Sequence, residues 1–170
     1  HLQSLRLRRL GIGRETLIIA DAEGEGIAMS DATPERPDFV SVDELAVIGG
    51  LPARATILHS HLTETGLSRE DIGLLQHPQI RAITAISPGG SIWRAVVGRE
   101  PLRNQIRDFA VNALRQPDLA HLSPEDRMQV SQHALGLFLE KRGVIHYHYS
   151  VTDRLRQLFA RYADLIERLS

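Results

Sequence analysis

Residues 55–75 read ATILHSHLTETGLSREDIGLL. The first four (55–58) are short and apolar and follow Pro52, the pattern of a buried strand. His59 and His61 stand at the C-terminal end of that strand. With extended backbone through Ser60, residues i and i+2 project to the same side, so both imidazoles reach one point in space. A loop of six residues (62–67) leads to Ser68, a good helix N-cap, and Ile72, Leu74 and Leu75 begin an apolar helical face. Asp71 then lies in the first helical turn, facing back toward the strand end. This strand–loop–helix unit organises the rest of the chain.

Two imidazoles and a carboxylate are a ligand set for one divalent metal ion. Zinc held by three such ligands keeps its fourth, tetrahedral position open for water, which separates a catalytic from a structural site. Taken singly, each piece has a plainer reading. Ser68 to Asp71 fits a capping box, and a second His-x-His pair occurs at His146 and His148. The combination at fixed spacing carries the weight, and a capping aspartate can also bind metal.

His59-Ser60-His61, a short loop, and Ser68-x-x-Asp71 resemble the signature of JAMM/MPN-type (JAB1/MPN/Mov34-like) zinc metalloproteases. The resemblance covers residues 13–97 and is nearest to the compact bacterial and phage-type members. It implies an α+β fold of α/β/α-like, cytidine-deaminase-like kind: a mixed β-sheet core with flanking helices. It also implies that His59, His61 and Asp71 bind Zn2+, that Ser68 helps stabilise the oxyanion, and that an upstream glutamate is the general base. In the compact members that glutamate opens a strand of the form Gly-basic-Glu followed by apolar residues. Gly13-Arg14-Glu15-Thr16-Leu17-Ile18-Ile19 has this form, which makes Glu15 the base. Glu23 and Glu25 are rivals, but they sit in the turn DAEGEG, where exposed acids are commonplace. Two departures stand out: Leu62 replaces the usual proline after the second histidine, and the spacer before the serine is six residues where many members have seven.

The activity so implied is zinc-dependent hydrolysis of a peptide or isopeptide bond. The implied partner is a protein substrate, including a ubiquitin-like protein or its conjugate, and an extended substrate would add as a strand beside a sheet edge. The rival reading is a non-catalytic scaffold, or a structural module of a phage or mobile-element system, that binds a partner through its C-terminal helices.

Composition narrows the remaining classes. A chain of 170 residues suits one domain, with or without an appendage, and 42% hydrophobic and 24% charged residues are ordinary for a globular protein. No run of 18 apolar residues and no signal peptide is present, so no membrane role is expected. Zero cysteines exclude disulfides and thiolate metal sites, leave metal binding to His, Asp and Glu, and fit a cytoplasmic location. With a net charge of −1 there is no global electrostatic case for nucleic acid. Lys141 is the only lysine, and the start at His1 reads as a cut from a longer protein.

Along the chain, residues 1–10 alternate basic and apolar, 16–20 form a strand, 21–26 a turn, and 27–30 a returning strand. Residues 31–38 are loop. A short helix is expected from Ser41, with Glu44 at the capping-box position, to Gly49-Gly50. Residues 81–87 and 91–97 predict a hairpin around Pro88-Gly89-Gly90, with Trp93 in the core. From Pro101 the pattern is helical: 102–115, then a helix opened by Ser123-Pro124 and closed by Gly143, then 153–169. The last places Leu155, Leu158, Tyr162, Leu165 and Leu169 in one seam, which packs on the domain's own body, self-associates or docks a partner. Residues 144–149 form a strand with His146 and His148 on one face, read as surface or aromatic-packed; His77, His121 and His133 receive no role. The expected division is a metalloprotease-like domain over 1–100 and a helical C-terminal extension over 101–170.

Overall fold

A computed structural model describes residues 13–21, 23, 25–37 and 54–170. The segment 1–10 and the helix expected from Ser41 lie outside these residues. Among the described residues six strands form one sheet in the order β2-β1-β3-β4-β5-β6. They are β1 (Thr16–Ala20), β2 (Gly26–Asp31), β3 (Ala55–Ser60), β4 (Ile80–Ile86), β5 (Ile92–Val97) and β6 (Ile145–Ser150). Of these described strands only β3 and β4 pair in parallel, and every other neighbouring pair is antiparallel. The fold is therefore α+β around a mixed sheet, as expected.

A parallel pair needs a crossover connection, unlike a hairpin. Here it is the motif segment, carrying α1 (Arg69–Gly73) and a 3-10 turn at Leu74–Gln76. The crossover leaves the C-terminal end of β3, the end at which open α/β sheets place their ligands. The hairpin β4–β5 forms as read, and Gly90 supplies the positive φ of its turn.

The two faces of the sheet differ. One packs Leu17, Ile19, Ile57, Ile83, Trp93 and Tyr147 in a large core cluster, to which the described helices contribute. The other face carries the smaller cluster Ile18, Ala20, Leu58 and Ile86. Alternation along β1 and β3 produces both sets from the same two strands.

The helices after β5 are α2 (Gln105–Leu114), a 3-10 turn (Pro117–His121), α3 (Pro124–Lys141), α4 (Asp153–Arg161) and α5 (Ala163–Leu169). Ser123 caps α3 as expected, its Oγ accepting the Asp126 N–H at 3.1 Å. The single helix read over 153–169 is instead two, parted at Tyr162 (φ −109°, ψ 25°). Its seam residues Leu155, Leu158, Leu165 and Leu169 are buried in the large cluster. Strand β6 runs antiparallel along β5, so residues 101–170 build on the same sheet and core as the described residues before them. Among the described residues no helix is long and apolar enough to cross a membrane.

Helix α3 lies against β6 through a glycine. A Cβ at Gly136 would stand 2.4 Å from Tyr147 Cζ, so the tyrosine ring occupies the space of the missing side chain. Alanine is the better helix former by about 1 kcal/mol. The clash nevertheless decides the sign, because forcing a buried ring aside costs about 1–3 kcal/mol. Gly136→Ala is expected to lower the urea midpoint relative to wild type; an unchanged or raised midpoint would show that the ring moves away freely. Next to this contact His133 is stacked on Phe159 (4.1 Å between ring centroids), and burial pushes its pKa down to about 4.

Candidate metal centre

The backbone through both motif histidines is held in the sheet. His59 pairs with Ala85 and Ser60 with Ile86 of β4, and the His61 N–H donates to the Ile86 carbonyl at 2.9 Å. Ser60 points the other way and accepts the Thr16 N–H on its Oγ at 2.9 Å, fastening β1 to β3. The strand thus extends past the expected residue 58, and the extended conformation on which convergence depends is present. The two imidazoles lie on one side with ring centroids 4.6 Å apart and planes at 87°.

Helix α1 brings the third group. Ser68 and Asp71 form the full capping box: Ser68 Oγ accepts the Asp71 N–H at 3.0 Å, and Asp71 Oδ2 accepts the Ser68 N–H at 2.7 Å. Capping fixes the carboxylate without turning it from the histidines. Asp71 Oδ1 lies 3.6 Å from His59 Nε2, and Asp71 Oδ2 lies 3.6 Å from His61 Nε2. Those separations are too long for hydrogen bonds. They suit a shared ion, because bonds of about 2.0–2.2 Å at tetrahedral angles set ligand atoms roughly 3.4 Å apart. One ligand atom from each residue lies within 4.8 Å of the others, and among the described residues this is the one group so arranged that could hold a metal.

Two further observations test the fit. His59 Nε2 is buried and has no hydrogen-bond partner. A buried polar atom left so is costly, and a metal ion would satisfy it. His61 Nδ1 lies 3.1 Å from the Thr65 carbonyl oxygen and 3.0 Å from Thr65 Oγ1. A carbonyl only accepts, so Nδ1 carries the proton and Nε2 presents its lone pair to Asp71, the outer hydrogen bond that orients ligating histidines. The Thr65 N–H donates to the Thr63 carbonyl at 2.9 Å, and the loop is anchored at the intervening Glu64. That residue's carboxylate accepts from Ser91 Oγ and from the Gly89 N–H (2.8 Å), while its carbonyl accepts from Gln129 Nε2 at 2.7 Å.

The electrostatics favour the ligand-competent forms of His59 and Asp71. Burial lowers the His59 pKa to about 4, Asp71 opposing and His61 reinforcing it. Burial would also lower His61, but its contacts with Asp71, the Glu15 charge and the Thr65 bond raise it. Asp71, which burial alone would raise, is held well below the usual carboxylate range by the two histidines and the Ser68 N–H. A neutral His59 and an ionised Asp71 follow at neutral pH.

Glu15 joins this group through strand register. Leu17 lies opposite His59, so continuing the antiparallel pairing by two residues places Glu15 beside His61. The Leu62 N–H donates to Glu15 Oε1 at 3.3 Å. A proline at position 62 would have no such N–H, so the departure at Leu62 adds a contact to the glutamate. The rivals Glu23 and Glu25 are exposed in the turn after β1. Ala20 pairs with Thr56, so that turn is at the opposite end of β3 from His59.

The other histidine pair has no comparable setting. His146 and His148 are exposed on β6, opposite Val96 and Arg94, with Tyr147 buried between them on the inner face. Thr65 and Glu64 carry no signal in the sequence, since a threonine and a glutamate in a polar loop look alike whatever they touch. No protein-family model, no curated protein and no solved structure matches the chain.

Proposed function

We propose that the chain is a zinc-dependent hydrolase of peptide or isopeptide bonds, of the JAMM/MPN type and fold, acting on protein substrates in the cytoplasm. One observation carries the reading: the unpartnered His59 Nε2, His61 Nε2 and the Asp71 carboxylate converge at one point while Glu15 stands alongside. When bound there, zinc lowers the pKa of a coordinated water to about 7 and polarises a substrate carbonyl.

The protein's own groups supply the rest. Glu15 takes the proton of the attacking water and passes it to the leaving amine, a role that requires hydrogen-bond reach to both. Ser68 Oγ accepts one hydrogen bond, from the Asp71 N–H, and keeps its own O–H to donate to the oxygen of the attacked carbonyl. Thr65 keeps His61 in the tautomer that binds metal. Buried surroundings strengthen each of these interactions relative to water.

The test is cleavage of a linear peptide amide and of an isopeptide-linked lysine conjugate by zinc-loaded protein, wild type against Ser68→Ala. Loss of an oxyanion donor is expected to lower kcat by about 10²–10³-fold with zinc retained. Loss of the N-cap costs only about 1 kcal/mol of stability. A kcat within a few-fold of wild type would remove Ser68 from the reaction, and cleavage that persists after chelation would remove the zinc reading altogether.

A further inference from the structure

Beside Ser68 the surface opens into a groove of about 680 Å³ between α2 and α3. Volumes of about 300–1,000 Å³ are those of ligand-binding clefts. Helix α2 lines it with Ile106, Phe109, Ala110 and Ala113, the i, i+3, i+4, i+7 spacing of a single helical face. Leu119 and Leu135 complete an apolar floor. The alanines leave room that longer side chains would fill.

The charges on the rim are already engaged. Arg69 pairs with Glu70, and Arg127 donates to the Ala120 and Leu122 carbonyls at 3.2 Å each. An anionic ligand therefore finds no uncommitted arginine here, and selection falls to the apolar floor. Leu114, a lining residue, is 88% exposed, apolar surface that a guest would cover. Gln132 also lines the groove.

We propose that this groove binds bulky apolar side chains of an extended protein substrate next to the bond presented at Ser68. The chain would then prefer substrates with Leu, Ile, Phe or Met beside the cleaved bond. Continuity with the metal centre through Ser68 singles out substrate over other occupants. A second copy of the chain would need a contiguous apolar projection. Among the described residues the exposed large apolar side chains are instead scattered over β2, β5, α2, α3 and β6. The substrate role rests on the hydrolase reading; the binding does not.

The experiment measures fluorescence polarisation of labelled Gly-Ser dodecapeptides with a central Leu-Leu, Phe-Phe, Lys-Lys or Glu-Glu pair. It uses the full chain in chelator, so that nothing is cut. Ala110→Arg and Ala113→Leu each fill the groove from α2; Ala110 is exposed, and arginine is a good helix former. Apolar peptides are expected to bind wild type about tenfold or more tighter than charged ones, and each variant to lose about tenfold or more of that affinity. Equal affinity for all four peptides, or unchanged affinity in both variants, would overturn the proposal. So would a wild-type dimer that Ala110→Arg dissociates, since the occupant would then be a second copy. Zinc content, measured separately, keeps the two failures apart. Groove-dependent binding by a protein without zinc upholds the groove and removes the hydrolase, whereas zinc-dependent cleavage indifferent to both variants does the reverse.

Discussion

Glu15→Gln is expected to leave zinc bound at the wild-type level and to lower kcat by about 10²–10⁴-fold, the usual contribution of a positioned general base. The substitution keeps shape and an acceptor oxygen, so the contact from the Leu62 N–H survives while basicity is lost. Glu15 is also fixed through its backbone: its N–H donates to the Pro37 carbonyl at 2.7 Å and its carbonyl accepts the Ala32 N–H at 2.8 Å. Both bonds persist in the variant, so a fall in kcat reports chemistry rather than a displaced strand. Metal content by mass spectrometry and kcat on a fluorogenic peptide amide give the two readouts. Full activity in Glu15→Gln would refute the assignment. Glu23 and Glu25 would then be poor substitutes, because they lie at the far end of β3 from the histidines.

The second large effect separates the two roles of Asp71. Asp71→Asn keeps an amide oxygen able to accept the Ser68 N–H, so the start of α1 stays capped. What it loses is the anionic charge that faces both His59 and His61 at 3.6 Å. Loss of an outer hydrogen-bond partner of a metal ligand typically costs about 10–100-fold in affinity, and loss of a charged ligand is expected to exceed roughly 100-fold. Titration against a chromophoric zinc chelator measures this directly. Zinc affinity within tenfold of wild type would leave Asp71 a helix cap and nothing more.

Much of this site was legible because its parts are local. His59 and His61 share a side through the period of two in a strand, and Ser68-x-x-Asp71 states its own capping geometry. The hairpin β4–β5 and helices α2 and α3 likewise follow from turn residues, caps and periodicity. What was hidden depends on register and loop path. That β3 pairs in parallel with β4, or that β6 joins the sheet beside β5, is a long-range choice among strands of similar apolar character. Placement of Glu15 opposite His61 follows from another such choice, the register of β1 on β3, and only the resemblance to a known motif pointed to it.

Thr65 and Glu64 were invisible for a related reason, since their roles exist only once the loop has folded over His61 and onto α3. Tyr162 parts the last helix where the seam pattern alone runs on without interruption. His133, one of several lone histidines in the sequence, is buried among aromatic rings. A histidine at a core position of a helix has no distinguishing pattern around it.

In the proposed centre His59, His61 and Asp71 hold one zinc ion. Elemental mass spectrometry on wild type, His61→Ala and Asp71→Asn, purified without added metal, tests it most directly. Near-stoichiometric zinc in the wild type, lost in both variants while each still folds, is the predicted result. A wild-type protein without zinc, or zinc that survives both substitutions, would contradict it and leave a capped helix packed beside two buried histidines.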